Sequence, residues 1–523
     1  MKPVQRLSHW CNTVEASLIL LFILFLLRIP NLAEPYWYGD EAIYLTIGTA
    51  LRQGVELYAG IVDHKTPLIY YLAMTPTQLW FRILLLVWMS VTTLLFYGVA
   101  RKFFSNTKVA FGSGLIFVLL TSWPGLEGNI PNGELFVMGF IIASLWIITR
   151  TQLFAGWMKG KSLIEYTPSV ADFQKILAAG MLASLGLLTK VPAILDIGAL
   201  GLLLILPIIP LARKQASKSV LKALTLGGTF ALGVAIPVAL SVLYYFLKGN
   251  LDAYLQFGLL YNFHYVGTWV PEFSSPIVAF FFTLPGKALL LMAGFVATAV
   301  FAWRAPKKRV LPWTTFWLLA ALFASLLSNR PYPHYFLQLV PPFALFVPTL
   351  ILAKKQLSTQ LTGIAAVLLI IAAALFLNFG FYPTVSYYQR YLSLVTGKIQ
   401  PQEYAQQFNG IIGQNQQVAL EIVNNSTSED RIFIWGTNPM LYALTQRVPA
   451  SRFTVAFHIH DLKVYDETLQ EIQTQQPAYI VVMRNESAWP EFEDYLSSNY
   501  ILTTTTDDMM VYRRTRLTGL LLE

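Results

Sequence analysis

The amino-acid sequence predicts a polytopic α-helical membrane protein with a small C-terminal α/β domain. Of its 523 residues, 55% are hydrophobic and only 12% are charged, against about 25% charged in ordinary soluble domains. Apolar stretches that can cross about 30 Å of hydrocarbon recur over the first 380 residues. Beyond them the chain is rich in Gln, Asn and Thr. We therefore predict a transmembrane domain over 1–380 and a C-terminal domain over 381–523.

Eleven transmembrane helices are predicted from these apolar stretches. The first is longer than the apolar region of a signal peptide and lacks a small-residue cleavage site, so it reads as a retained anchor. The predicted spans lie at about 14–33, 81–100, 108–123, 134–149, 175–190, 192–210, 224–247, 285–303, 311–328, 335–353 and 360–380.

The distribution of Lys and Arg predicts the orientation, because these residues concentrate in short cytoplasmic loops. One set of alternate connections holds nineteen of the 37 cations, and the opposite set holds eight. The N-terminus is therefore expected in the cytoplasm, and the C-terminal domain outside it. The net charge of +9 reflects this topology, and no nucleic-acid partner is expected. A single cysteine, Cys11, excludes an internal disulfide and makes thiolate metal sites implausible.

The C-terminal domain shows alternating helix-like and strand-like segments. Gln402–Val423 and Glu467–Thr474 are helix-like, whereas Arg431–Trp435 and Ala478–Met483 are short apolar runs typical of strands. Helices and strands in alternation indicate a small α/β fold.

Polar residues at the predicted outer ends of the spans are the candidates for function, because charge near lipid is costly. The first outer loop carries Asp40 and Glu41 and, after a turn, Asp63, His64 and Lys65. Adjacent acids point in different directions in any regular structure, so Asp40 and Glu41 should have different roles. The alternative is a solvated acidic loop flanked by interface aromatic residues.

Three further segments carry most of the other polar side chains of that face, and His264 and Lys287 add to them. Lys190 lies at the junction of the fifth and sixth spans. Snorkelling of its side chain to the interface, or a pair with Asp196, would explain a lysine here without a functional role. Between the third and fourth spans, Asn132 and Glu134 fit the start of a helix. The remaining candidates stand around the loops before the eighth and tenth spans: His264, Lys287, Arg330, His334 and Tyr335.

Together these residues suit the transfer of a group from a lipid phosphate to an acceptor hydroxyl. A cluster of cations at a membrane boundary favours a phosphate group tethered in lipid. A nearby carboxylate can remove the proton of the acceptor hydroxyl as the new bond forms. Since phosphate is already a good leaving group, it needs positive charge more than a protonating acid. The sequence therefore predicts one essential carboxylate and several cations converging on one pocket.

The order of these motifs resembles that of the integral-membrane glycosyltransferases of the C superfamily. The motifs are Asp40-Glu41 after the first span, His64-Lys65-Thr66-Pro67-Leu68, Gly186-Leu-Leu-Thr-Lys190, Pro333-His334-Tyr335-Phe336 and, in the tail, Ile434-Trp435-Gly436. The branch most similar to this chain is that of the protein O-mannosyltransferases and the lipid A aminoarabinose transferase.

The resemblance implies a role for each matching residue. Asp40 would be the catalytic base, and Glu41 would help to position substrates. Lys65 would belong to the donor site; related enzymes often carry an acid at the position of His64, a role that Asp63 could take here. The residues expected near the donor phosphate are Lys190, Lys287, Arg330, His334 and Tyr335.

The resemblance also implies a reaction and a location. The protein would be an inverting hexosyl or pentosyl transferase of the bacterial cytoplasmic membrane, with its active site outside the cytoplasm. A polyprenyl-phosphate sugar would be the donor, and a protein, a glycolipid or an envelope polysaccharide would be the acceptor.

Two other function classes fit parts of the sequence. A transporter or flippase of a lipid-linked saccharide would use the same cations, but the span centres are mostly free of charge and no inverted repeat is visible. A binding protein acting through its C-terminal domain would leave the charges at the span ends unexplained. A divalent metal is compatible with His64, His264 and nearby acids, but the sequence does not require one.

Overall fold

A computed structural model describes residues 13–159, 167–205, 212–267, 275–304, 310–352 and 383–515. They form two compact units. The helical unit comprises the described parts of Met1–Ile29, Ile83–Lys248 and Tyr261–Thr384, and the mixed unit comprises those of Pro30–Arg82, Gly249–Leu260 and Val385–Glu523.

Most described residues up to 352 are helical. The α-helices in this part are Thr13–Arg28, Gly39–Arg52, Leu68–Leu72, Gln78–Phe103, Thr107–Thr121, Gly133–Ile148, Gln152–Met158, Val170–Leu187, Ala193–Ile205, Ala212–Leu247, Leu251–Ala253, Tyr261–Gly267, Pro276–Phe282, Leu284–Arg304, Val310–Ser325 and Val340–Leu352. Short 3-10 helices occur at Ile29–Ala33, Pro124–Leu126 and Pro333–Leu339, and a π-helix at Tyr254–Leu260.

Several helices are long and apolar enough to cross a membrane. Within the described ranges, four pass this test alone: Val14–Ala33, Gln78–Phe103, Val170–Leu187 and Val220–Leu247. Two helix pairs, each bent by 78°, raise the number to six if each pair is one span: Gly133–Ile148 with Gln152–Met158, and Pro276–Phe282 with Leu284–Val300. The chain is therefore a membrane protein.

Ten of the eleven predicted spans fall on helices among the described residues. The eleventh, at 360–380, and the predicted domain boundary at 380 lie outside these residues. The number of spans and their orientation stay predictions. The tenth predicted span, at 335–353, differs in form because its first part is the 3-10 helix Pro333–Leu339. Pro341 and Pro342 lack the N–H groups that would join it to the following α-helix by regular i→i−4 bonds.

The interior of the helical unit contains polar groups that are hydrogen-bonded. Asp196 accepts hydrogen bonds from Trp317 Nε1 at 2.6 Å and from Gln338 Nε2 at 2.6 Å. Trp313 donates to the Ala199 carbonyl at 2.8 Å. A buried polar group that lost such a partner would cost about 1–3 kcal/mol, so these bonds fix the packing of the helices.

The C-terminal part of the mixed unit is a four-stranded sheet with helices. The strands are β1 Ile432–Trp435, β2 Tyr479–Met483, β3 Tyr500–Thr505 and β4 Met509–Arg514, in the order β1-β2-β4-β3. β1 and β2 are parallel, and β4 is antiparallel to β2 and β3. The helices are Thr384–Val395, Pro401–Gln406, Ile411–Asn424, Met440–Thr445, Ala456–Leu462, Tyr465–Gln475 and Pro490–Asn499.

This C-terminal part confirms both predicted strands and corrects one predicted helix. The predicted helix Gln402–Val423 is two helices, because the chain turns at Asn409-Gly410, where Asn409 Oδ1 accepts from the Ile411 N–H. β3 and β4 were not predicted. The core beneath the sheet is apolar and includes Ile422, Ile434, Leu441, Val481 and Val511.

Candidate functional site

Asp40 stands in the first turn of the helix Gly39–Arg52 in the mixed unit. The positive end of the helix dipole there favours a carboxylate. Its side chain is 30% exposed and lies 3.5 Å from Lys65 Nζ. The Tyr44 hydroxyl donates a hydrogen bond to it at 3.3 Å. Asp40 is thus an accessible carboxylate beside a buried cation.

Glu41 points away from Asp40 into the protein interior. Its two carboxylate oxygens accept from Arg82 Nε at 2.8 Å and from Arg82 Nη2 at 2.7 Å. Gln78 Nε2 donates a third bond at 3.0 Å. Arg82 also donates to the carbonyls of Asn31 and Glu34. The two adjacent side chains point in different directions, as the sequence predicts, and the contacts of Glu41 anchor this part of the chain.

Two features hold the segment around Lys65 in place. Gly48 lets the chain after Leu68–Leu72 approach the Asp40 helix, because a Cβ at this position would collide with the Ala73 carbonyl oxygen. The Lys65 backbone is held on both sides: its carbonyl accepts from the Tyr58 hydroxyl at 2.7 Å, and its N–H donates to the Tyr70 hydroxyl oxygen at 3.1 Å. The ammonium group is therefore preorganised.

Asp63 is the buried centre of the same cluster. Lys65 Nζ lies 3.4 Å from Asp63 Oδ2, which also accepts from the Tyr70 hydroxyl at 2.7 Å. On its other oxygen, Oδ1, the nearest groups are His64 Nδ1 at 3.0 Å and His458 Nε2 at 3.4 Å. The two imidazole nitrogens are 3.3 Å apart. One carboxylate thus bridges a lysine and a pair of histidines.

Burial and the neighbouring charges shift the pKa of Asp63 in opposite directions. Burial alone would raise its pKa, but the charges of Lys65 and the neighbouring histidines prevail and hold the pKa well below its usual range. Burial lowers the pKa of His458 to about 4, although Asp63 acts against this change. Around neutral pH, His458 is therefore a neutral imidazole with lone-pair electrons.

These groups fit a divalent metal ion. One donor atom each from Asp63, His64 and His458 lies within 4.8 Å of the other two, the one such cluster among the described residues. Asp63 Oδ1 is buried and accepts no well-aligned hydrogen bond. Two imidazoles with a carboxylate form a donor set typical of Zn²⁺ and other divalent transition metals. His264, which the sequence offered as a ligand, lies in the helical unit on Tyr261–Gly267.

His458 is the site residue that sequence reasoning missed. It lies on the helix Ala456–Leu462, 394 positions beyond His64. The Val62 N–H donates to the Arg452 carbonyl at 2.8 Å, and this contact brings the two segments together. The available signal was composition: two of the six histidines stand at 458 and 460, in the polar tail.

Lys190 belongs to a second cluster, in the helical unit. Its ammonium group contacts Glu134 Oε1 at 2.5 Å and lies 4.7 Å from the centre of the Tyr335 ring. The pair with Asp196 that would have been a simple structural explanation is therefore wrong. Asp196 sits further along the next helix and is held by Trp317 and Gln338. Lys190 thus connects two of the polar segments.

His334 extends this second cluster, and Arg330 lies in the same unit. His334 Nδ1 contacts Glu127 Oε2 at 2.5 Å, and its ring packs edge-on against Tyr335 at 4.6 Å. The Arg330 guanidinium lies over the Tyr265 ring, 4.3 Å from its centre. Three polar segments far apart in sequence therefore supply cations, carboxylates and aromatic rings to the helical unit.

Lys287 has a structural role that the sequence did not predict. Its ammonium group donates to the carbonyls of Leu326 and Leu327 at 2.6 and 3.0 Å and to Asn329 Oδ1 at 2.5 Å. An ammonium group has three hydrogens, so these acceptors satisfy it. Lys287 therefore holds the segment that follows the helix Val310–Ser325 in place.

Comparison with solved structures identifies the fold. The chain superposes on ArnT from Cupriavidus metallidurans bound to undecaprenyl phosphate with a TM-score of 0.54 and 14% identity, over 97% of this chain and 98% of ArnT. Apo ArnT gives a TM-score of 0.53 and 15% identity over the same shares. The chain therefore has an ArnT-like fold, as the resemblance to the C superfamily (GT-C) implies.

Other comparisons are weaker or cover less. The archaeal oligosaccharyltransferase AglB from Archaeoglobus fulgidus, solved with an inhibitory peptide and a dolichol-phosphate, gives a TM-score of 0.44 and 14% identity, over 98% of this chain and 75% of AglB. Residues 413–515 match the family described as "Putative competence-induced protein Ccs4 C-terminal domain". No curated protein matches the chain at the sequence level.

Proposed function

We propose that this protein transfers a hexosyl or pentosyl group, with inversion, from a polyprenyl-phosphate donor to an acceptor hydroxyl. The observation that carries the proposal is the accessible Asp40 carboxylate, 3.5 Å from the buried Lys65 ammonium, in a chain with the GT-C-type fold. ArnT, which shares this fold, was solved with undecaprenyl phosphate. The distribution of cations in the loops further supports an active site on the extracytoplasmic face of a bacterial cytoplasmic membrane.

In the proposed reaction, Asp40 is the general base. It accepts the proton of the acceptor hydroxyl while the hydroxyl oxygen bonds to the anomeric carbon. The bond between that carbon and the phosphate oxygen breaks, and its electron pair leaves with the polyprenyl phosphate. A single displacement of this kind inverts the anomeric centre, and the proton remains on Asp40 until it is released to water.

Cations would stabilise the departing phosphate. Lys65 is the candidate in the mixed unit because its ammonium group is buried and fixed, which strengthens its electrostatic effect. In the helical unit, Lys190 and Arg330 are assigned to donor phosphate binding by the family resemblance, with His334 and Tyr335 beside them. Lys287 is less suited to phosphate, since backbone carbonyls already satisfy its ammonium group.

A divalent metal would be held by Asp63, His64 and His458. When bound, such an ion would supply positive charge for anionic substrate groups. The residues of the chain do the remaining work: Asp63 orients Lys65 and both imidazoles, and Tyr70 fixes Asp63 through the bond from its hydroxyl.

The direct test is transfer by the purified full-length protein with undecaprenyl-phosphate sugars as donors. Mass spectrometry of envelope glycans and lipids from cells with and without the protein would first identify the sugar and the acceptor. We expect D40N to abolish turnover while donor binding persists. D507N is the matched control, because Asp507 is an exposed acid in the turn between β3 and β4.

Two results would contradict the proposal. Full turnover by D40N would refute the assignment of the base. Movement of an intact lipid-linked saccharide across a vesicle membrane, with no glycosyl transfer to any acceptor, would instead identify a flippase.

A further inference from the structure

A separate cavity of about 420 Å³ lies at the edge of the C-terminal sheet. The loops that follow the parallel strands β1 and β2 line it through Thr437, Asn485 and Glu486. Asp508, from the turn between β3 and β4, completes one side. Ligands of α/β proteins commonly bind at the carboxyl ends of parallel strands. The volume is also within the range of about 300–1,000 Å³ that small-molecule sites occupy.

The cavity has an apolar floor. Met440 and Met483, both buried, form part of its lining. Gly436 has a φ of +141°, and a Cβ at this position would collide with the Met483 side chain. Glycine is therefore required directly after β1, because a side chain at this position would displace Met483 from the floor of the cavity. Thioether side chains are soft and adapt to irregular apolar surfaces.

The two carboxylates at the rim are held by other side chains. Glu486 Oε1 contacts His460 Nε2 at 2.8 Å, and the other nitrogen of that ring contacts the Tyr465 hydroxyl at 2.6 Å. Asp508 Oδ2 accepts from Gln414 Nε2 at 2.6 Å. A carboxylate offers about four lone-pair sites. Each of these groups is therefore oriented and keeps capacity to accept further hydrogen bonds.

The lining favours an uncharged ligand with many hydroxyl groups. Two carboxylates disfavour an anion, and none of the residues that line the cavity is Lys, Arg or His. Asn409 and Asn485 supply amides, which both donate and accept, and Thr437 adds a hydroxyl. A sugar ring matches this set, since its hydroxyls pair with the carboxylates and amides while its C–H face lies on the methionines.

We propose that this cavity is a binding site for a neutral saccharide, distinct from the Asp40 cluster. In a protein of the proposed function, the ligand would be the glycan part of the acceptor; that role rests on the proposed function, whereas binding itself does not.

Saturation-transfer NMR on the full-length protein tests the site. The protein is kept in a detergent without a sugar headgroup, and the probes are methyl α-mannopyranoside, methyl N-acetyl-β-glucosaminide and cellobiose. We expect saturation transfer to at least one probe, and none to glucose 6-phosphate. D508N and N485A should each weaken binding by about tenfold, the loss expected when a ligand hydroxyl loses a charged or amide partner. Both side chains are exposed, and D507N is the matched control.

Three outcomes would overturn the proposal: no neutral probe binds, both variants bind as the wild type does, or the phosphorylated sugar binds better than the neutral ones. D40N should bind saccharide normally, which keeps this test separate from the test of transfer. A protein that binds saccharide but transfers nothing would refute the proposed function and leave the saccharide site intact.

Discussion

Replacing Glu41 by glutamine tests whether two adjacent acids have separate structural and chemical roles. Glu41 is buried and accepts three hydrogen bonds, two of them from Arg82. In E41Q, the guanidinium would stay buried without its main counter-charge. Breaking a buried ion pair by removing one partner costs about 3–5 kcal/mol. Glu34, whose carboxylate lies 3.9 Å from Arg82 Nη2, would compensate in part, so we expect a loss near the lower end of that range.

The matched variant is D40N, which changes the neighbouring acid. Asp40 is partly exposed, and Lys65 keeps Asp63 as a second counter-ion. A change of about 0.5 kcal/mol or less is therefore expected, as for ordinary surface substitutions. Thermal unfolding followed by tryptophan fluorescence, together with turnover per folded molecule, would separate the two variants. E41Q should be less stable but active while folded, and D40N should be stable but inactive.

The double variant E41L/R82M provides a further check. Replacing both members of a buried pair by apolar residues is often neutral. Here the carbonyls of Asn31 and Glu34 would lose the hydrogen bonds from Arg82. We therefore expect E41L/R82M to recover only part of the stability that E41Q loses. If E41Q were as stable as the wild type and inactive, the division of roles derived from the geometry would be wrong.

Three further predictions concern the other clusters. Elemental analysis should find about one divalent transition metal per chain in the wild type and a clear loss in H458Q; equal metal content in both would contradict the proposed ligand set. K190M should raise the KM for the donor and leave Glu134 without its cation, while K190R should retain most activity; an unchanged KM in K190M would place the phosphate site elsewhere. Burial raises the pKa of Glu471 above its ordinary value, although hydrogen bonds to it act in the opposite direction. The folded protein therefore holds this proton more tightly than the unfolded chain, and the stability so gained is lost as the pH rises through the folded pKa. E471Q should thus gain stability relative to the wild type as the pH rises from about 4 to 7, and a difference that does not change with pH in denaturation curves would refute this.

The sequence predicts the elements whose signal is local. Apolar stretches place ten helices, because burial in lipid requires about 20 consecutive apolar residues. The β-branched runs of β1 and β2 are visible because both strands are buried. β3 lacks that signal: Ile501 and Leu502 are both exposed, and the strand shows no alternation between apolar and polar residues. The pairing of β3 with β4 therefore depends on tertiary contacts that a local pattern does not show.

The candidate site shows the same division between local and distant information. Asp40 and Lys65 stand out because charge at a span end is costly, and adjacency alone predicts that Asp40 and Glu41 point apart. Nothing local indicates His458, since its contact with His64 joins residues 394 positions apart. The pair of Lys190 with Asp196, which the sequence offered as an alternative explanation, is wrong for a related reason. Asp196 is near in sequence but is held by Trp317 and Gln338 on the next helix. Glu134 reaches Lys190 from the helix Gly133–Ile148.

The geometry also distinguishes between the two carboxylates that contact Lys65. Asp63 has a side chain that is only 1% exposed, and both of its oxygens are surrounded by Tyr70, Lys65, His64 and His458. An acceptor hydroxyl could reach it only by displacing groups that hold the cluster together. Asp40, 30% exposed, has an open side. A general base must come within hydrogen-bond distance of the proton that it removes. Of these two acids, the geometry therefore favours Asp40 for the proposed role of catalytic base, and Asp63 is better placed to hold the lysine and the histidines.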